Sequence, residues 1–352
     1  MKLSIGIVGL PNVGKSTLFK VLTKQEITIA NYPFATIDPN VGVVPVPDLR
    51  LQKLTEISRS KKTIPAVVEF YDIAGLVKGA NKGEGLGNQF LSHIRETQAI
   101  AIVLRTFQDS EIIHVENSVD PIRDLDIINT ELALKDLESV EKRLHGLEAD
   151  IKAKKKGAEE EKTALLTAKQ ILERGEPLAA AKEHSDILEN VGMSSLNLLT
   201  AKKQIYLLNG GEEDAKQELL EKIKNLGGDY IIANLALQNF FEKNLGGQAS
   251  LAQDAVNTLI KKAYEVLGLV SFFTTGEDET RAWTIERGTK APQAAGVIHT
   301  DFEKNFIRAE VVSYGKLMEA KGWNQAKQKG WIRLEGKEYV AQDGDVMVIR
   351  HG

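Results

Sequence analysis

Eight residues near the start of the chain, Gly9-Leu10-Pro11-Asn12-Val13-Gly14-Lys15-Ser16, restrict its possible folds more than any other stretch. They match the pattern G-x-x-x-x-G-K-[ST] at every fixed position. Ahead of them, the apolar, β-branched run from Leu3 to Val8 predicts a strand. Behind them, Ser16 to Lys24 carries Leu18, Phe19 and Leu22 at helical spacing. Strand, glycine-containing loop and helix is the context in which this pattern cradles phosphate. Glycines let the backbone curl around the oxygens, successive N–H groups and the helix N-terminus favour negative charge, and a lysine adds a point charge. Asn12, Val13, Gly14, Lys15, Ser16 and Thr17 are therefore the predicted nucleotide contacts, with the Ser16 hydroxyl a predicted ligand of Mg²⁺.

A second element follows the apolar segment from Ala66 to Tyr71. Asp72-Ile73-Ala74-Gly75 is a D-x-x-G arrangement, in which Asp72 steadies the Mg²⁺ shell through water and the Gly75 amide meets the γ-phosphate. Lys78 to Gly87 has four glycines in ten residues, a composition suited to a switch. Between the two motifs lies Asn31 to Asn40, without periodicity and with two prolines, where Thr36 is the predicted further Mg²⁺ ligand. Hydrolases of this type carry a glutamine directly after D-x-x-G; here the residue is Leu76, which can neither orient nor deprotonate water. His114, in a loop after the predicted strand from Ala99 to Arg105, is the predicted catalytic substitute, beside Lys15 and Gly75.

A guanine-reading site uses N-K-x-D, whose aspartate accepts hydrogen bonds from two guanine donors. The equivalent position after the apolar run from Gln204 to Leu208 reads Asn209-Gly210-Gly211-Glu212. The lysine is gone and the carboxylate stands on a longer stem. Adenine has no exocyclic N2 donor and presents N1 as an acceptor, so the change favours ATP over GTP. Asn209, Gly210 and Glu212 are the predicted base contacts.

The strand candidates and the helical or loop segments between them predict an α/β, doubly wound, mainly parallel sheet. From Glu131 to Asn190 the texture changes, with 25 charged residues in 60. Leu137, Val140, Leu144, Leu147 and Ile151 form a heptad seam, Lys152 to Glu161 reads as an exposed reversal, and helical spacing resumes from Ala164 to Glu173. An inserted α-helical coiled-coil hairpin over 130–199 is expected, interrupting a nucleotide domain made of 1–129 and 200–267. Beyond it, 268–352 has short apolar runs and glycine turns, predicting a small α+β domain. That last segment has 12 basic and 12 acidic residues and the whole chain a net charge of −4, so no gross basic surface points to nucleic acid. The absence of cysteine excludes thiolate chemistry and disulfides. No signal-peptide pattern or membrane span is evident, and a cytoplasmic protein is expected, with neither membrane nor DNA as partner.

The phosphate loop, Ala30 to Asn40 (ANYPFATIDPN), Asp72 to Ala80 (DIAGLVKGA), the glycine-rich switch and Asn-x-x-Glu occur together and in order. In this the sequence resembles the Obg-like ATPase family, also called YchF. The resemblance continues through Phe272 to Gly276, Arg281 to Thr284, Gly288 to Asp301, Arg333 to Lys337 and Asp343 to Val346. It implies a GTPase-like core interrupted by a coiled coil and followed by a ubiquitin-like β-grasp (TGS) domain. It also implies ATP hydrolysis with Mg²⁺, a role for His114, and association with the ribosome, its large subunit or another RNA partner. Two positions depart from the usual pattern: Ile232 to Ala236 does not resemble the last base-contact loop of GTPases, and the two glycines after Asn209 loosen the base pocket. A slow ATPase switch is the leading expectation. An Obg-type GTPase, or a nucleotide-gated scaffold in which hydrolysis is incidental, are the alternatives, separable by nucleotide preference and by nucleotide-dependent partner binding.

Overall fold

The structure, a computed structural model, describes residues 3–23, 41–72, 94–109, 114, 118–181, 187–188, 190–235 and 250–352. The chain begins with β1 (Leu3–Val8), α1 (Lys15–Thr23), β2 (Val41–Pro45), α2 (Leu49–Ser58), β3 (Lys62–Ile64), β4 (Val67–Asp72) and β5 (Ala99–Arg105). Two long helices, α3 (Pro121–Lys152) and α4 (Ala158–Glu173), and the short α5 (Val191–Ser195) come next. The chain then returns through β6 (Lys203–Asn209), α6 (Gln217–Asn225), β7 (Asp229–Ala233) and α7 (Ser250–Val266). It closes with β8 (Leu269–Thr275), β9 (Glu279–Glu286), α8 (Ala291–Ile298), α9 (Thr300–Lys304), β10 (Phe306–Ser313), α10 (Tyr314–Ala320), α11 (Trp323–Gln328), β11 (Arg333–Glu335) and β12 (Asp345–His351).

The first sheet has the order β2-β4-β1-β5-β6-β7 and is parallel except for β2, which runs antiparallel to β4. Its central strands β1 and β5 are buried along their whole length. Continuous apolar runs of this kind belong to strands covered by helices on both faces. Because the strands are parallel, the C-terminal ends of β1, β4, β5, β6 and β7 lie at one edge, where α/β proteins hold their ligands.

Asp120 caps α3 by accepting from the Ile122 and Arg123 amides, with Pro121 at the first helical position. This helix serves two cores: Leu125, Ile128 and Leu132 pack into the first sheet's core, while Ala133, Val140 and Leu147 join Leu165, Ala168, Ile171 and Leu172 of α4 in a separate cluster. The predicted heptad seam is the face packed against α4. Residue 130, the expected start of the insertion, lies inside α3, so the change of texture there is a change of packing partner within one helix. The chain reverses through Lys154 and Gly157, both with positive φ. α4 starts at Ala158 rather than Ala164, with Glu159, Glu160 and Glu161 in the first turn, where the helix dipole favours acidic groups.

The route back into β6 is fixed by Asp136, which is fully buried on α3. Its carboxylate accepts from the Leu199 amide at 2.9 Å, the Thr200 amide at 2.7 Å and the Thr200 hydroxyl at 2.7 Å. Arg95 bridges the same junction, donating to Ser139 Oγ at 2.7 Å and to the Leu196 and Lys135 carbonyls.

The second sheet has the order β11-β10-β12-β8-β9-β3. β8 and β9 form an antiparallel hairpin, α8 follows, and β12 returns parallel to β8 at the centre, an arrangement of the β-grasp kind. α8 covers one face with Ala291, Ala294 and Ala295; Leu51 and Leu54 of α2, together with α10 and α11, cover the other. The edge strand β3 is borrowed from the first part of the chain and runs parallel to β9. Only Pro65 and Ala66 separate it from β4 of the first sheet. The same seam carries Ser60 Oγ donating to the Gly276 carbonyl at 2.6 Å, and Arg50 held between Asp48 and Asp343, each at 2.7 Å.

Candidate functional site

The turn between β1 and α1 takes its shape from two residues with positive φ, Asn12 at 63° and Gly14 at 106°. Asparagine tolerates the left-handed region through its short polar side chain, and Gly14 is required for a second reason. A Cβ there would collide with the Asn209 amide nitrogen. That nitrogen donates to the Val13 carbonyl at 2.8 Å, while Asn209 Oδ1 accepts from the Leu235 amide at 3.0 Å. Asn209 thus pins the phosphate loop to the turn after β7. Asn209 is the expected base contact, and its buried amide also braces the phosphate loop through Val13.

Lys15 is buried at the start of α1, its ammonium donating to the Leu10 carbonyl at 2.7 Å. Burial lowers its pKa to about 8, against the pull of the Asp72 charge. Asp72, the last residue of β4, is affected in the mirror sense: burial raises its carboxyl above the usual range while Lys15 draws it down. Two opposite charges are therefore held in a poorly solvated place, where phosphate oxygens near Lys15 and a cation near Asp72 would relieve both. Ser16 exposes its side chain in the first turn of α1, with Thr17 partly buried beside it.

These groups fit Mg²⁺. A hydroxyl and one carboxylate are hard oxygen donors, and this ion retains waters and takes phosphate oxygens rather than needing a cage of protein ligands. No group of three or more His, Asp or Glu side chains able to hold a metal occurs among the described residues. Thr36, Gly75 and Leu76 lie outside the described residues.

At the end of β6 the chain turns tightly. The Gly210 amide donates to the Ala233 carbonyl at 3.3 Å, and the Gly211 amide to Asp214 Oδ2 at 2.8 Å. Gly210 is buried, and Glu212 is exposed where a short 3₁₀ turn, Glu212–Asp214, begins. The Thr106 amide and hydroxyl both donate to the Asn209 carbonyl, tying the end of β5 to the end of β6. Neither Thr106 nor the Leu235 amide was foreseen, because each acts through a backbone contact that leaves no sequence pattern. Arg105, the last residue of β5, is also fully buried, donating to the Phe107 and Asp109 carbonyls.

His114 is 5% exposed, where a surface loop position would leave a histidine open to water. Its Nε2 lies 2.8 Å from Asp124 Oδ2, in the first turn of α3. Arg123 holds the other oxygen of Asp124 at 3.1 Å and donates to Ser118. Burial raises the Asp124 carboxyl, partly offset by Arg123 and His114. Asp124 was missed because an aspartate four residues after an Asp-Pro helix start reads as helix-end electrostatics.

The Ribosome-binding ATPase YchF of Bacillus subtilis is 47% identical over 369 residues, covering 99% of this chain and 99% of the relative. The chain belongs to the YchF family of Obg-like ATPases. Another family member, Obg-like ATPase 1 of Schizosaccharomyces pombe, is 44% identical over 369 residues, covering 98% of this chain and 93% of that protein. The solved structure of the S. pombe YchF GTPase matches with a TM-score of 0.82 at 43% identity, over 99% of this chain and 98% of that one. A family model described as a 50S ribosome-binding GTPase matches residues 4–141, and the YchF-GTPase C-terminal model, described as a protein of unknown function, matches 269–352. The family's P-loop α/β fold is the fold observed here. No helix among the described residues is long and apolar enough to cross a membrane.

Proposed function

We propose that this protein is a cytoplasmic, Mg²⁺-dependent ATPase that hydrolyses ATP to ADP and phosphate slowly and acts as a nucleotide-dependent switch on the ribosome or a related RNA–protein partner. The observation that carries this is the pairing of a loop shaped for phosphate with 47% identity, over 99% of this chain, to a protein named Ribosome-binding ATPase YchF. In this reading Asn12, Val13, Gly14, Lys15, Ser16 and Thr17 bind the phosphates. Asn209 braces the loop and, with Gly210 and Glu212, lines the base. Ser16, Thr36 and, through water, Asp72 hold Mg²⁺, which when bound neutralises charge developing on the phosphate oxygens. The functional division is 1–129 with 200–267 for nucleotide, 130–199 for the helical hairpin and 268–352 for a TGS domain.

Hydrolysis forms a bond from a water oxygen to the γ-phosphorus as the β–γ bridge breaks, with ADP taking the electron pair. Lys15 and the Gly75 amide stabilise the departing charge, and His114 receives the water's proton. With leucine following D-x-x-G, unstimulated turnover is expected at about 10⁻³ to 10⁻² s⁻¹. Calorimetric titration with ATP and GTP analogues in Mg²⁺ tests the base reading. Tighter binding of the ATP analogue supports it; tighter binding of the GTP analogue overturns it and favours an Obg-type GTPase.

A further inference from the structure

Residues 268–352 carry equal totals of basic and acidic side chains, but the two are not mixed. Six of the 12 basic residues fall between Lys316 and Lys337, against two of the 12 acidic ones. That stretch forms most of α10, then α11 and the edge strand β11. Lys327 and Lys329 are exposed where α11 gives way to β11, the Lys329 ammonium lying 4.3 Å from the Trp331 ring centre, and Lys337 is exposed just past the strand's other end. Beside them, Arg308 and Arg350 are direct partners in the antiparallel register of β10 and β12, so both side chains leave the same face of the sheet with Cβ atoms about 5 Å apart. The core beneath α10 and α11 takes Val312 and Val346 of that face, whereas Arg308 and, on β11, Leu334 are exposed. Like charges placed directly opposite on a sheet destabilise it. Glu310 relieves only Arg350, accepting from its Nε at 3.0 Å, and Arg308 has no partner among the described residues. The nearby acidic groups are already engaged: Glu335 accepts from Arg333 at 2.8 Å and Glu338 from Lys290 at 2.5 Å. Lysines placed to keep other chains off an edge strand would account for the residues around β11. They do not account for two arginines opposed on interior strands.

We propose that this band is a docking surface for RNA, in which one backbone phosphate bridges Arg308 and Arg350 while flanking phosphates meet Lys337 at one end of β11 and Lys327 with Lys329 at the other. A planar guanidinium binds phosphate oxygens two at a time, and a shared phosphate turns the repulsion between two of them into attraction for a common anion. The charges are spread along the sheet edge rather than focused in a pocket, which suits the repeated charges of a nucleic-acid backbone. Contacts of this kind position the RNA and carry no sequence information. The inference rests on the reading of an RNA–protein partner and adds to it the face by which this chain is held.

The test measures binding of the full-length protein to a fluorescently labelled RNA hairpin by anisotropy over a range of KCl concentrations, with cosedimentation on ribosomes in parallel. Arg308→Glu replaces a repelling pair with an attracting one, so its urea midpoint should equal or exceed the wild-type value while RNA affinity at about 0.1 M KCl falls at least about tenfold. Arg308→Gln removes one charge only; it should weaken binding about threefold and lower the slope of log affinity against log salt by about 1. Lys304→Glu makes the same charge reversal on α9, whose Phe302 packs into the core on the α8 side of the sheet, and should change affinity less than about twofold. Equal losses in Arg308→Glu and Lys304→Glu would reduce the effect to net charge and overturn the proposal. Unchanged RNA affinity in Arg308→Glu, or tighter binding of the wild type to phosphatidylserine vesicles or a polyglutamate peptide than to RNA, would overturn it as well. A wild type that neither binds the RNA nor sediments with ribosomes would instead remove the RNA-partner reading itself, and the two failures are distinguishable.

Discussion

The two sheets have the same number of strands and opposite habits. The first is parallel at its centre and gathers its strained backbone and buried charges at one edge: Asn12, Gly14, Lys15, Asp72, Asn209 and Asp124 all lie at strand ends or in the turns and helix start that follow them. The second joins three antiparallel pairs through the parallel contact of β12 with β8 and carries a parallel edge strand, β3, and many of its ion pairs are exposed, such as Lys290 with Glu338 and Arg350 with Glu310. A parallel sheet needs long crossovers, and these bring several unrelated turns to one place; antiparallel hairpins scatter theirs. The lesson is that a perturbation should be felt locally and functionally in the first sheet and mildly in the second.

The largest expected effect lies where the hairpin meets the first sheet. Asp136→Ala strands two amides and a hydroxyl that have no water to turn to, and denaturant unfolding should show a loss of about 3–5 kcal/mol. A loss below about 1 kcal/mol would mean the junction is not the rigid support described.

A sharper comparison sets two glycines of positive φ against each other, Gly14 at 106° and Gly344 at 84°. An added methyl at Gly14 strikes the Asn209 amide that braces the phosphate loop, whereas at Gly344 the nearest atom is the end of the Arg50 side chain at 3.1 Å. Gly14→Ala should weaken nucleotide binding about 100-fold, from about 2–3 kcal/mol of strain and misplaced loop. Gly344→Ala should cost about 1 kcal/mol of stability and leave nucleotide affinity intact. Equal effects on affinity would break the contrast.

The smallest effect concerns the clasp between α2 and the second sheet. Burial raises the Asp343 carboxyl, but Arg50 and the Ser271 amide more than reverse this and leave it below its usual range. A depressed carboxyl contributes stability above its unfolded value, near pH 4, and loses it as pH falls through the lower folded value. Arg50→Gln should therefore cost below about 1 kcal/mol at pH 7, the pair being partly exposed. The gap between variant and wild-type urea midpoints should narrow progressively as pH falls below about 4. A gap that stays constant with pH would assign the cost to packing of Arg50 over Phe273 instead.

Much of the first sheet was legible because its signals are local. β1, β4, β5 and β6 are apolar runs, and the phosphate loop is a contiguous string. β3 was not legible: Lys62 and Thr63 are exposed and polar, and the segment is extended only because β9, more than two hundred residues away, offers it an edge. β7 was passed over as part of a base-contact loop, since Asp229 and Tyr230 dilute its apolar character. At the site, residue types were readable and directions were not. Asn209 had the right position in sequence, yet only the fold shows its amide turned to Val13. His114 stood out as a loop histidine, and its carboxylate was hidden in the opening turn of a helix whose start was already explained by Asp120 and Pro121.

The borrowed strand also decides how this chain can be taken apart. Cutting before β8 to obtain the C-terminal portion alone would leave Glu279 to Arg281 facing solvent with unpaired amides and carbonyls, an open template for other chains. The remaining N-terminal piece would keep Lys62 to Ile64 with nothing to pair against. The second sheet is therefore a guest that cannot be moved to another host without its lent strand. A transplantable unit would have to carry residues 62–64 with it as a tether or a fused loop.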